Sequence, residues 1–179
     1  MENFIRISKN NASKTNNGKF EGWGTSLCWW AHRIGYSSEL TKQAADLFFS
    51  EKGLNLNIMR YNIGGGDAPS HNHIKRTDSA VPGWLKYDEA KKDFIYDYTA
   101  DENQLNVLRS AYEKAGENAL VEVFSNSPPY FMTKSGCTGG NNPADTNNLK
   151  DTCYEAFAEY IAHVTEYINN KLKINVYCV

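Results

Sequence analysis

Ten residues, Val121 to Tyr130 (V-E-V-F-S-N-S-P-P-Y), change character halfway along. The first four are β-formers around a glutamate and read as a strand. Asn, Ser and two prolines follow. Proline has no amide hydrogen and pushes the residue before it away from helix, so the strand must stop near Ser127. A buried strand that ends abruptly in small polar groups and a ring presents those side chains beyond its C-terminal end. Loops after strands carry function more often than the scaffold does. The same segment also fits an ordinary strand end closed by a turn.

The rest of the chain repeats this theme. Phe20 to Trp30, Leu54 to Ile63, Ala119 to Asn126 and Lys173 to Val179 read as strands. Amphipathic helices lie between them. One runs from about Glu39 to Lys52, with Ser37 or Ser38 as cap, Gly53 as stop, and Leu40, Ala44, Leu47 and Phe48 inward. A second is capped by Asp101, runs to about Gly116, and turns Leu105, Leu108, Ala111 and Tyr112 inward. A third covers Asp151 to Asn170, with Phe157, Tyr160, Ile161 and Val164 on one face. Strands separated by such helices pair in parallel through right-handed crossovers. The long irregular segments, Asp67 to Ala100 and Met132 to Asn148, both follow strands. That asymmetry marks the strands' C-terminal edge as the functional face, as in (β/α) barrels and doubly wound sheets.

A dinucleotide fold requires G-x-G-x-x-G directly after the first strand. Gly22 and Gly24 supply only a fragment of it inside the strand, and Gly64-Gly65-Gly66 opens a long loop, not a helix. A barrel fits better, but a complete one has eight strands and typically ~250 residues. The 179 residues here supply about half of the strands. The expected fold is therefore α/β: residues 20–179 form the N-terminal portion, about four strands, of a (β/α)8 barrel. The remaining barrel strands are needed to complete it. Residues 1–19 form a polar lead-in with a candidate strand at Phe4-Ile5-Arg6-Ile7.

Composition narrows the function. A net charge of −2 with interspersed signs leaves no basic footprint for nucleic acid and no polybasic membrane patch. No apolar run approaches the ~20 residues of a spanning helix, and the N-terminus lacks the apolar centre of a signal peptide. Four tryptophans and eleven tyrosines exceed what a core of this size needs, so some rings belong on the surface or in a cleft. Saccharides stack their C–H faces on such rings. Cys28, Cys137, Cys153 and Cys178 lack metal-site spacing, so neither a metal nor another cofactor is expected. Cys28 and Cys178 read as buried thiols, whereas Cys137 and Cys153 flank one loop and are either bridged or free.

Three long motifs in order, F-E-G-W-G-T-S-L-C-W-W, N-I-M-R-Y-N-I-G-G-G-D-A-P-S-H and F-S-N-S-P-P-Y-F-M-T-K-S-G-C, resemble glycoside hydrolase family 30, most closely its endo-β-1,6-galactanase branch. The likeness runs from about Phe20 to Lys173. It implies a (β/α)8 barrel with an attached β-sandwich, to which the segment before the first barrel strand usually contributes. It also implies retaining hydrolysis of a galactan-type polysaccharide by two glutamates, and a secreted or extracellular protein. The acid/base follows the fourth strand in an Asn-Glu-Pro motif, and the nucleophile lies on the seventh. No Asn-Glu-Pro occurs up to Val179, so no catalytic residue is assigned here and both glutamates are expected beyond this chain. The alternative is a carbohydrate-binding fragment without catalysis.

The candidate substrate-binding residues are Trp29, Trp30, Arg60, Asn62, Asp67, Ser125, Asn126, Ser127 and Tyr130. Trp29 and Trp30 end the first strand, so at least one faces the cleft, because adjacent strand residues point opposite ways. Arg60 offers a planar fork for hydroxyls or a carboxylate, and the family has an arginine here that supports the active site; a structural ion pair is the other reading. Asp67 either accepts from sugar hydroxyls or forms a turn after the glycines. Asn62 carries both donor and acceptor at the same strand end. Ser125, Asn126, Ser127 and Tyr130 line the pocket. Glu122 lies too deep in its strand to be a catalyst and is expected to be a buried, hydrogen-bonded carboxylate. His71 and His73 read as loop residues, not metal ligands.

Overall fold

The computed structural model describes residues 8, 15–68, 81–141 and 143–179. The candidate strand at Phe4–Ile7 and both loop histidines, His71 and His73, lie outside the described residues. The elements in chain order are β1 (Gly24–Ser26), α1 (Cys28–Ile34), α2 (Ser38–Phe49), β2 (Ile58–Asn62), β3 (Leu85–Asp88), β4 (Asp93–Tyr96), α3 (Glu102–Ala115), β5 (Leu120–Phe124), α4 (Tyr154–Asn170) and β6 (Val176–Cys178). β1, β2, β5 and β6 form one parallel sheet in that order. Arg60 pairs in register with Ser26 on one side and Glu122 on the other. The α/β class and the parallel pairing thus follow the hydrophobic pattern.

Three local expectations are corrected. The first concerns the tryptophans. β1 ends at Ser26, and Trp29 and Trp30 lie on the helix α1, not at the end of a strand. The strand stops where the Leu27 amide bonds the Arg60 carbonyl (2.9 Å). Leu27, Cys28 and Ala31 then enter the core at helical spacing. The ring-rich run looks like strand by propensity, but this burial pattern overrides it.

The second correction is to α2. Ser37 caps it, accepting from the Leu40 amide, but the buried stripe is Thr41, Ala44, Ala45 and Phe49. Leu40 and Leu47 are exposed. The third is the segment read as irregular, which contains the antiparallel hairpin β3–β4. Its turn has no Gly, Pro or Asn to announce it. Asp88 closes it instead, accepting from the amides of Ala90 (2.9 Å) and Lys91 (3.2 Å).

Alternation divides the sheet into two faces. Met59, Tyr61, Val121 and Val123 are buried against the helices, together with Leu105, Leu108 and Ala111 of α3 and Tyr160, Val164 and Ile168 of α4. Within this core runs a polar network. Tyr61 donates to Asp101 (2.7 Å), and the Trp84 indole donates to the Tyr61 hydroxyl (3.1 Å). The Trp84 amide donates to Tyr160 (3.0 Å), whose hydroxyl donates to the Gly64 carbonyl (2.6 Å). Burial pushes both phenols up, so they remain neutral donors. Asp101 stands at the N-cap of α3, yet its side chain caps nothing; it serves this network instead.

Tyr160→Phe should leave the Trp84 amide and the Gly64 carbonyl without their shared partner and cost about 1–3 kcal/mol, read by urea unfolding. The hairpin makes a second case. Lys86 and Thr99 hold the Asp97 carboxyl down to about 2. A depressed carboxyl contributes stability above its unfolded value, and that stability is lost as pH falls toward the folded one. Asp97→Asn should therefore cost stability at neutral pH, and that cost should fade as pH falls through about 2. The loss at neutral pH should be no more than about 1 kcal/mol, because the Lys86 side chain is open to solvent and water screens the pair.

Candidate functional site

The C-terminal ends of β2 and β5 are locked together through amides. Gln104 of α3 bonds both backbone groups of Asn62, accepting from its amide (3.1 Å) and donating to its carbonyl (3.1 Å). The Asn62 side-chain oxygen accepts from the Asn126 amide (3.2 Å). Above this junction lies a cavity of about 340 Å³, and Trp29, Asn62, Asn126 and Ser127 are part of its wall. The Trp29 indole, 41% exposed, is presented by α1. Among the described residues no ionisable side chain lines the cavity: they supply one ring, amides, hydroxyls, small apolar groups and backbone. A second hollow of about 410 Å³ shares Asn126 and Ser127 and extends past Ser125 toward Asn147, Asn148 and Phe157.

Sequence reasoning missed Gly65, Thr138 and Gly139, which also line the first cavity, as do Ile63 and Val81. Gly65 is required by close approach, since a Cβ there would stand 2.4 Å from the Pro128 carbonyl oxygen. The loop after β5 folds back over it. Thr138 donates to the Gly66 carbonyl (2.8 Å), and the Asn148 amide spans the carbonyls of Cys137 (3.0 Å) and Gly140 (3.2 Å). The signal was present in the small polar run S-G-C-T-G-G, but nothing in it names its partner 72 residues away.

The other candidates are not among the residues that line this cavity. The Trp30 indole donates to the Ser26 carbonyl (2.7 Å) and meets Phe48 edge-on. Tyr130 bonds Gly65 through its amide (3.0 Å), and its ring packs edge-on against Phe131. Asp67 accepts from the amide of Ala68 (3.1 Å) and also engages the Cys137 thiol. Arg60 sits mid-strand on the sheet face away from the helices. Its Nε donates to Glu122 (2.9 Å), its Nη1 to Ser26 (3.3 Å), and its guanidinium lies over the Phe124 ring at 4.1 Å. Glu122 is hydrogen-bonded as expected but not buried, because its side chain is 33% exposed on that open face.

All four cysteines are free thiols, so Cys137 and Cys153 are not bridged. Cys28 and Cys137 are buried, and burial pushes both thiols up. Cys178, expected to be buried, is exposed because β6 is an outermost strand. Among the described residues no group of three His, Cys, Asp or Glu side chains could hold a metal ion, and no helix is long and apolar enough to cross a membrane.

Known proteins resemble this chain in sequence and in fold. An exo-β-1,6-galactobiohydrolase of Bifidobacterium longum is 31% identical over 84% of this chain, which covers 13% of that protein. An endo-β-1,6-galactanase of Hypocrea rufa is 30% identical over 89% of this chain, which covers 36% of that protein. The chain therefore spans well under half the length of these curated relatives. A conserved exported protein from Bacteroides fragilis superposes with a TM-score of 0.70 at 25% identity, over 87% of this chain and 32% of its own. The family model for O-glycosyl hydrolase family 30 matches residues 2–177, and the chain belongs to that family.

Proposed function

We propose that this chain is the N-terminal part of the catalytic barrel of a retaining glycosidase that cleaves β-1,6-linked galactan. The carrying observation is the cavity beside Trp29, at the C-terminal edge of a parallel sheet, whose wall among the described residues offers amides and hydroxyls and no ionisable side chain. A neutral, polyhydroxylated ligand suits such a wall. Asn62 and Asn126 each offer donor and acceptor, and the indole offers a face for sugar C–H groups. The two curated relatives, both named for action on β-1,6-linked galactose units, supply the linkage.

The strand order supports a barrel segment. A doubly wound sheet reverses its order at a switch point. Here the strands of the parallel sheet follow chain order without reversal. In this reading residues 20–179 belong to the barrel and 1–19 lead in from an accessory β-sandwich. The row Ser26, Arg60, Glu122 lies on the barrel's inner face, and the two catalytic carboxylates, ~5–5.5 Å apart in a retaining enzyme, come from later strands.

The test is to incubate the full-length protein, including the later barrel strands that follow this chain, with β-1,6-galactan, β-1,3-galactan, β-1,6-glucan and xylan and follow the products by NMR. Galactose or its oligomers should appear from β-1,6-galactan, with the β-anomer first. No release from that polymer would remove the substrate assignment, and an α-anomer formed first would remove retention. Trp29→Ala should lower kcat/KM on the polymer by about 10- to 100-fold, the loss of one stacked ring worth about 1.5–3 kcal/mol. Residues 1–179 alone should associate and lack turnover. β1 and β6 present unpaired edges, and Tyr177 and Val179 at one of them are 57% and 72% exposed. Size-exclusion chromatography decides the first point, and a monomeric peak with a sharp thermal transition would contradict it.

A further inference from the structure

α1 has only seven residues, too few to hold a helix in water unaided. Leu27 at its N-cap supplies no side-chain bond. Its placement is therefore set by what it touches. Cys28 and Ala31 are buried. The C-terminal end is tied to α3, where the Asn103 and Asn106 amides donate to the carbonyls of His32 (3.1 Å) and Gly35 (3.1 Å). One side-chain contact joins these ties: His32 Nδ1 lies 3.6 Å from Asp101 Oδ1. That is too long for a hydrogen bond, and both atoms are buried with no hydrogen-bond partner among the described residues. The second Asp101 oxygen is fully used, accepting from Tyr61 and Gln104.

We infer that His32 is a positioning residue: through Asp101 it fixes α1, and with it the Trp29 indole on the cavity wall. A carboxylate oxygen out of reach of water draws the nearest donor, and His32 Nδ1 is the group that faces it. His32 and Trp29 are three residues apart, so they are neighbours on one side of the helix, and a shift of one moves the other. Asp101 is itself held from β2 through Tyr61 and from α3 through Gln104, so the ring of Trp29 is referenced to the same elements that carry Asn62. What stacks on Trp29 is taken from the galactan reading, but the positioning does not depend on it.

The test uses the full-length protein, later barrel strands included, labelled with 5-fluorotryptophan, the Trp29 signal being assigned by its loss in Trp29→Phe. His32→Leu should shift or broaden that signal in the absence of any sugar. It should also raise KM for a β-1,6-galactooligosaccharide by about tenfold with kcat changed less than about twofold. His32→Asn, which keeps a short amide donor, should restore both. An unchanged Trp29 signal in His32→Leu, or no rescue by His32→Asn, overturns the inference. Should His32→Leu fail to fold, the wild-type protein still decides: the nitrogen-15 spectrum must show the His32 proton on Nδ1, and a bare Nδ1 overturns the inference. If the oligosaccharide leaves the wild-type protein unaffected, the galactan reading fails, while the fluorine and nitrogen signals still judge His32.

Discussion

Tyr61 donates to a carboxylate buried beneath the sheet, and the rest of the cavity is built outward from that bond. Burying Asp101 is costly unless its charge is bonded, and burial does raise its carboxyl above the ordinary range. Tyr61, Gln104 and His32 oppose that rise by favouring the charged form. The two bonded donors come from β2 and α3, and the His32 ring that faces the other oxygen comes from α1. One buried carboxylate therefore sets the relative positions of the three pieces that bring Asn62 and Trp29 to the same cavity. Trp84 and Tyr160 extend the network to the segment before β3, to α4 and to the glycine loop.

The two faces of the sheet divide the labour. One is dry, and it fixes geometry by packing. The other carries Arg60, Glu122 and Ser26 at the same level of adjacent strands. Arg60 there is both an ion pair and an open-face group, so the two sequence readings of it were not exclusive. Stacked over Phe124, its guanidinium is oriented by a ring as well as by a carboxylate. Arg60 is thereby fixed where a lysine would be free to turn.

The sequence made the parallel strands legible because each is a short apolar run between helical patterns. It made Asn62, Asn126 and Ser127 legible because they stand where those runs break. What it hid has two physical causes. Propensity misled at Trp29 and Trp30, where rings that favour strands sit on a helix whose burial comes from Leu27, Cys28 and Ala31. Distance hid the rest. Thr138 and Gly139 reach the cavity only because the loop after β5 folds back on Gly66, and Asp101 looked like a helix cap because its true partner, Tyr61, is 40 residues earlier.

The same contrast explains why the loop after β2 is so rich in glycine. Gly64 and Gly65 are threaded between two other segments: a Cβ on Gly64 would meet the Pro82 carbonyl oxygen at 2.4 Å, and one on Gly65 would meet that of Pro128 at the same distance. The backbone passes here at contact distance from both loops that close the site. Gly64 also carries the carbonyl that Tyr160 holds from the core. Gly65 thus brings main chain to the cavity wall, next to the Gly64 carbonyl that the phenol holds. Around it Trp29, Asn62, Asn126, Ser127 and Thr138 bring aromatic and polar side chains to the wall. A site built this way can change what it accepts by changing those side chains, while substitution of the glycines would displace both loops at once.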